Sequence, residues 1–217
     1  MIVTIDGPAG AGKSSAAKLL AQRLGFEYLD TGAMYRAVSL AVLRARVDPS
    51  NEPAVAAVVA SLTLEMPGGQ VLLDGADVSG LIRTPEVTAA SSAIAASPSV
   101  RSRLSELQRA IAAGRDMVCE GRDQGTVVFP DAGRKFYLIA DETERARRRA
   151  AELAAKGSAV PLEDILQAQQ QRDRRDAQRD LAPMVPAADA VILDSTGLTL
   201  DQVVARMEQD VRQCRTG

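Results

Sequence analysis

The sequence predicts an α/β fold: a parallel sheet flanked by helices, interrupted by a small antiparallel β insertion. Three observations predict it. Short β-branched apolar runs alternate with amphipathic helical segments along most of the chain, the pattern of a parallel sheet covered on both faces. The first of these runs feeds directly into a glycine-rich loop and then a helix. One stretch, "LTLEMPGGQVLLDGADVSG", breaks the rhythm and alternates around Pro67-Gly68-Gly69, which reads as a hairpin.

The elements follow in order. "MIVTID" is a short apolar run stopped by Gly7 and Pro8, a buried strand. From Lys13, apolar residues recur at Ala16, Leu19, Leu20 and Leu24, and Gly25 stops the pattern, which predicts an amphipathic helix. "FEYLD" is a second strand, "AMYRAVSLAVLRARV" a helix ended before Asp48-Pro49, and "PAVAAVVASL" a short helix. After the β insertion, "TPEVTAASSAIAA" and "SPSVRSRLSELQRAIAAG" read as helices, each with a hydroxyl cap and a proline near its start. "DMVCEG" and "RKFYLIAD" are buried strands. "ETERARRRAAELAAKG" and "PLEDILQAQQQRDRRDAQ" are helices rich in charge. "DAVILDS" is the last strand and "TLDQVVARMEQDVRQC" a closing helix.

Composition excludes several function classes. The 217 residues carry a formal net charge of −2, so no global basic field argues for nucleic acid. Aromatics are 3%, too few for a stacking platform along a single strand. Histidine is absent, which removes the Ser-His-Asp triad, His-ligated zinc and a histidine general base. Catalysis is left to carboxylates, Lys, Arg, backbone amides and a hard oxygen-bound metal. Cys119 and Cys214 lie in no metal-ligand spacing and fit a reducing compartment; Cys119 reads as a small buried hydrophobe. The chain has no signal-like start and no long apolar run, which predicts a cytoplasmic protein with no membrane partner.

Gly7-Pro8-Ala9-Gly10-Ala11-Gly12-Lys13-Ser14 matches G-x-x-x-x-G-K-[ST], between a strand and a helix. Glycines let the backbone curl so that successive N–H groups face phosphate oxygens, and the helix N-terminus adds its dipole. Lys13 would reach the β- and γ-phosphates, and the Ser14 hydroxyl would take a place on Mg²⁺. The ATP-binding stretch is therefore set at Gly7 to Ser15.

Such a loop serves GTP switches, mechanical ATPases and small kinases. The only asparagine, Asn51, precedes Glu-Pro, so the guanine-reading N-K-x-D is missing. "DSTG" at Asp194 follows the last strand and reads as a turn. A small-molecule kinase needs a second anionic pocket and a lid that excludes water. Arg36, Arg83, Arg101 and Arg122 are scattered as such a pocket would require. Arg122 stands out, in a glycine-flanked loop just beyond a strand's carboxyl end, where ligands of open parallel sheets bind.

The stretches "IDGPAGAGKSS", "LDTGAMYR", "DVSGLIRTPEV", "EGRDQGTVVFPDA", "QRDRRDAQRDLAP" and "ADAVILDST" together resemble the bacterial cytidylate kinases, end to end and in order. The resemblance implies a P-loop NTPase-type nucleoside monophosphate kinase that passes a phosphoryl group from Mg-ATP to CMP or dCMP. It implies a core over residues 1–36, 99–144 and 180–217. It also implies a monophosphate-binding region over 37–98, with its β insertion near 62–82, and a helical lid over 145–179. By position, Thr31, Arg36, Arg122 and Arg179 hold the acceptor phosphate, Ser92, Arg101 and Asp123 read cytosine, and Arg172 and Asp176 hold the ribose. Lys13, Arg122 and Arg179 are the groups at the reacting phosphates. Small-molecule substrates, no nucleic acid and a monomer complete the expectation. Thr31 stands where some members have Ser, Ser14 where some have Gly, and Glu120 where some have Asp. Kinases of UMP, dTMP or shikimate, and a nucleotide-binding regulator that transfers nothing, stay open as alternatives.

On a continuous helix Arg172, Asp176 and Arg179 would fall at i, i+4 and i+7, on one face. Arg175 lies beside them. Arg174, Asp173 and Asp180 read as a solvated surface. Among Arg145, Arg147, Arg148 and Arg149, one or more is expected at the triphosphate.

Overall fold

A computed structural model describes residues 1–155 and 157–216, with side chains through 214. Position 156 inside the expected lid, and 217 at the end of the expected core, lie outside the described residues. The chain divides into two compact units, Met1–Tyr28 with Arg115–Gly217, and Leu29–Gly114. Residues 29–36 and 99–114, grouped with the core from sequence, are in the second of these.

The first unit is built on a sheet of order β2-β6-β1-β7-β8. Its strands are β1 (Ile2–Asp6), β2 (Glu27–Asp30, whose last two residues open the second unit), β6 (Met117–Glu120), β7 (Arg134–Ile139) and β8 (Val191–Asp194). β1 is central and runs parallel to both β6 and β7, with Ile5 opposite Glu120 and Asp6 opposite Tyr137. The register makes the carboxyl ends of these strands finish together, so the loops after β1 and β6 leave from one edge.

Helix α1 (Lys13–Leu24) and the closing helix α8 (Leu200–Thr216) supply the apolar cover. Ala16, Ala17 and Leu20 of α1 and Val204, Met207 and Val211 of α8 are fully buried against Val3, Ile5, Val118 and Phe136. Gly25 ends α1 in the left-handed conformation, at φ 69°, as its place after the last apolar residue predicts. Cys119, next to Val118 on β6, is fully buried and points to the other face of the sheet; burial, aided by nearby Asp6, pushes its thiol up to about 12. α6 (Glu142–Ala155) and α7 (Leu162–Ala177) pack on each other.

The second unit holds α2 (Thr31–Arg44), α3 (Glu52–Ser61), α4 (Pro85–Ile94) and α5 (Pro98–Ala112). Side-chain oxygens cap all four helices: Asp30, Asn51, Thr84 and Ser97 accept from the backbone N–H three residues on. The β insertion is a sheet of β3 (Leu64–Glu65), β4 (Leu72–Leu73) and β5 (Ala76–Asp77), in antiparallel sequence. The expected hairpin around Pro67-Gly68-Gly69 is therefore followed by a second one. Its turn is Asp74-Gly75, with φ of 50° and 79°, the pair of positive values a tight primed hairpin turn needs. Among the described residues no helix is long and apolar enough to cross a membrane.

Candidate functional site

The phosphate loop of the first unit turns at Gly7, Gly10 and Gly12, all at positive φ. Gly7 has φ 137°, and a Cβ there would lie 2.1 Å from the Leu138 carbonyl oxygen. No larger residue fits where the loop leaves β1 against β7. Gly10 has φ 78°, and a Cβ would meet the Gln169 amide nitrogen at 2.6 Å. Lys13 opens α1 with its side chain 5% exposed, and its Nζ donates to the Pro8 carbonyl at 2.7 Å. Burial lowers its pKa from 10.5 to about 7, helped by the charges of Arg122 and Arg172 and opposed by Glu120 and Asp6. A buried lysine beside two guanidinium groups is an anion site short of negative charge.

Two carboxylates join this loop to the one after β6. Asp6 is 4% exposed and accepts from the backbone N–H of Gln124 at 2.9 Å and of Gly125 at 2.8 Å. Burial raises its pKa from 3.8 to about 6 against those two hydrogen bonds. Glu120 accepts from the Ser14 hydroxyl at 2.5 Å and from Tyr28 at 3.1 Å. The Gly121 N–H adds a bond to the Ile5 carbonyl at 3.1 Å. Residues 124–128 then form a single π turn, so Arg122 and Asp123 project from a backbone braced on both sides.

Arg122 bridges to α7: its Nε donates to Asp176 Oδ2 at 3.0 Å. Asp176 is also approached by Arg179, whose Nη2 lies 3.6 Å from Oδ1 and whose Nε donates to the Asp176 carbonyl at 3.3 Å. The reading of one face along a continuous helix needs a correction here. α7 ends at Ala177, capped by Gln178, and Arg179 reaches Asp176 by folding back from the segment beyond. Of the residues expected in the first unit, Lys13, Arg122, Arg172, Asp176 and Arg179 are brought together, with Asp123 buried next to Arg122 in the chain.

Asp173 is a second correction. In place of the solvated surface expected of it, its Oδ1 accepts from the Ala9 N–H at 3.0 Å and its Oδ2 from Arg145 at 2.5 Å. Arg145 is 4% exposed. Arg148 donates to the Ser195 hydroxyl at 3.0 Å and the Ser195 carbonyl at 2.8 Å, and Ser195 in turn donates to the Ala11 carbonyl at 3.2 Å. Two arginines of α6 thus brace the phosphate loop, directly or through the turn after β8. Arg149 pairs with Glu152 on the surface. Asp6, Asp173 and Ser195 were missed as partners of the loop because each acts across a long sequence separation; the turn at "DSTG" was the only local signal.

The second unit carries its own cluster. Asp30 accepts from the Ala33 N–H at 2.8 Å and pairs with Arg36 at 3.2 Å and Arg83 at 3.4 Å. Gly32 leaves room for this, since a Cβ would lie 3.1 Å from an Arg36 terminal nitrogen. Thr31 is buried at the start of α2. Arg101 is buried on α5, donates to the Ala95 carbonyl at 3.2 Å and lies over the Tyr35 ring. Ser92 is half-buried on α4.

The sequence model of the family described as cytidylate kinase matches residues 3–213. A protein of Geobacter sulfurreducens named cytidylate kinase is 48% identical over 217 residues, covering 98% of this chain and 93% of the relative. One of Pelotomaculum thermopropionicum with the same name is 50% identical, covering 93% and 92%. A crystal structure of an uncharacterised protein from Eubacterium ventriosum superposes with a TM-score of 0.56 at 12% identity, over 98% of each chain, a likeness of fold.

Proposed function

The chain belongs to the cytidylate kinase family, and from that premise we propose that it transfers the γ-phosphoryl group of ATP to CMP or dCMP, giving ADP and CDP or dCDP. The observation that carries the reading is the buried Lys13, in electrostatic reach of Arg122 and Arg172, with Arg122 tied to Asp176. A donor-loop lysine and acceptor-type arginines gather within one compact unit. A triphosphate and a dianionic monophosphate repel each other, and fixed positive charge is what offsets that cost.

The roles divide as follows. The loop from Gly7 to Ser15 holds the triphosphate, with Lys13 at its β- and γ-phosphates. Thr31, Arg36, Arg122 and Arg179 hold the acceptor phosphate. Arginine suits this because its fork fixes direction as well as charge. Transfer passes through a loose, in-line transition state with charge on the equatorial oxygens, so positioning and charge stabilisation supply most of the rate. The nucleophile is already a phosphate oxygen, so the absence of histidine costs nothing. Ser92, Arg101 and Asp123 read the base: a carboxylate accepts from the cytosine amino group and repels the carbonyl that uracil carries there. Arg172 and Asp176 hold the ribose. Residues 145–179 act as the lid, and a cytoplasmic monomer is part of the same reading.

A magnesium ion fits the residues present. The Ser14 hydroxyl and Glu120 carboxylate, 2.5 Å apart, are hard oxygen donors at the end of the phosphate loop. Among the described residues no cluster of three or more His, Cys, Asp or Glu could hold a metal by itself. When bound it would neutralise charge on the β- and γ-phosphates. Coupled ADP release with CMP, dCMP, UMP and dTMP in parallel tests the reading. Turnover with the cytosine nucleotides is expected; a preference for UMP or dTMP, or no turnover, contradicts it.

A further inference from the structure

Asp173 follows Arg172 on α7, so it points roughly 100° around the helix from it. Its two carboxylate oxygens are both engaged, one by the Ala9 N–H at 3.0 Å and one by Arg145 Nη1 at 2.5 Å. The same Arg145 nitrogen donates to the Ala9 carbonyl at 2.8 Å. The three groups close a ring in which both backbone polar groups of Ala9 are taken by side chains of α6 and α7. Arg145 is further fixed through its Nε to the Ala140 carbonyl at 3.2 Å, and Gln169 donates to the Arg145 carbonyl at 3.4 Å from the space that Gly10 leaves.

We propose that Asp173 is a positioning residue for the donor nucleotide, clipping the phosphate loop at Ala9 through Arg145 so that the amides after it converge on the triphosphate. The inference rests on the ATP-to-CMP reading. A phosphate loop works only if its successive N–H groups face one point, and the bonds at Ala9 hold its first half from outside. Removing the carboxylate leaves the Ala9 N–H without its acceptor and the buried Arg145 with only the exposed Glu142, 4.0 Å away, as counter-charge, an arrangement that is costly in a low-dielectric interior. The harm falls on one substrate. Asp176, one turn further along α7, is held by Arg122 from the loop after β6 and keeps that contact.

The rival for the same geometry is a carboxylate that stands in for a phosphate oxygen and must be displaced by ATP; it predicts the opposite sign. The full chain carrying Asp173→Ala or Asp173→Asn distinguishes them. Asparagine keeps an acceptor for the Ala9 N–H and loses only the charge on Arg145. Calorimetry with Mg-ATP alone gives the dissociation constant, and steady-state assays give KM for each substrate. Asp173→Ala is expected to raise the ATP dissociation constant and KM tenfold or more, and Asp173→Asn by a smaller factor. KM for CMP should stay within twofold in both. ATP binding that is unchanged or tighter overturns the proposal. So does a parallel rise in both KM values that follows a drop in Tm. If Asp173→Ala does not fold, Asp173→Asn decides by the same criteria. The wild-type control separates the two ideas: no CMP-dependent ADP release there defeats the kinase reading, while the calorimetric comparison still judges the clip.

Discussion

Raising the pH of an Mg-ATP titration from 6 to 8 should turn binding into a proton-consuming event, and Lys13 sets the size of the effect. Its pKa falls from 10.5 to about 7, first through burial and then through Arg122 and Arg172. That displacement corresponds to roughly 5 kcal/mol of preference for the neutral amine in the folded chain. At pH 8 the free protein would carry about a tenth of a proton on Lys13; at pH 6, about nine tenths. The triphosphate replaces the missing counter-charge and returns the lysine to its charged form. Binding should therefore take up ~0.9 proton at pH 8 and ~0.1 at pH 6, and affinity should fall about tenfold per pH unit once pH passes 8. Calorimetry in two buffers of different ionisation enthalpy reads the uptake directly. Lys13→Met, in parallel, subtracts the nucleotide's own titration. The same linkage acts on stability. The unfolded lysine binds more protons between about pH 7 and 10.5, so stability rises with pH in that window and the cost of charging Lys13 is complete below it. Uptake under ~0.2 proton at pH 8 in the wild type, or the same uptake in Lys13→Met, would refute the reasoning.

Three further outcomes follow from particular contacts. Asp6→Asn should flatten the pH profile of stability on the acid side: burial raises the Asp6 pKa from 3.8 to about 6, so its contribution is full below the lower value and lost as pH rises through the upper. Urea midpoints from pH 4 to 7 should shift in favour of the variant, relative to wild type, by up to about 3 kcal/mol; a constant difference contradicts this. Arg179→Ala should lower kcat by ~10²–10³, with Tm falling far less than activity, since its contacts to Asp176 span three residues at the end of α7; parallel loss of Tm and activity would mark it as structural. Asp123→Asn should reduce the kcat/KM preference for CMP over UMP by at least about tenfold, and an unchanged ratio would place base reading elsewhere.

What could be read from sequence and what could not divide along sequence separation. The strand, loop and helix around Lys13 form one local unit with a strong spacing signal, and they stand where the spacing puts them. Caps and prolines gave the starts of α4 and α5 for the same reason. The second turn of the β insertion was not read, although Asp74-Gly75 is a strong hairpin dipeptide, because its strands are two residues long and carry little alternation. The end of α7 was harder, since no glycine follows Ala177. Pro183 is the nearby breaker, and the chain reverses at Ala182, which takes φ 50°. The ties between Asp6 and residues 124–125, Ser14 and Glu120, and Ala9 and Asp173 join positions more than 100 residues apart. No periodicity or local motif encodes such pairs. They appear only when the parallel register brings the strand ends to one edge. Asp173 shows the consequence: in sequence it is one acid in a mixed charge run, and in the fold it holds the phosphate loop.

The most direct test of phosphoryl transfer between two held phosphates uses ATP labelled at the γ-phosphate, incubated with the purified chain, magnesium and CMP. Label should pass to CDP, with inorganic phosphate a minor product, and Lys13→Met and Arg122→Ala should each suppress that passage. Label released chiefly as inorganic phosphate, or retained on ATP while CMP is present, would contradict the account.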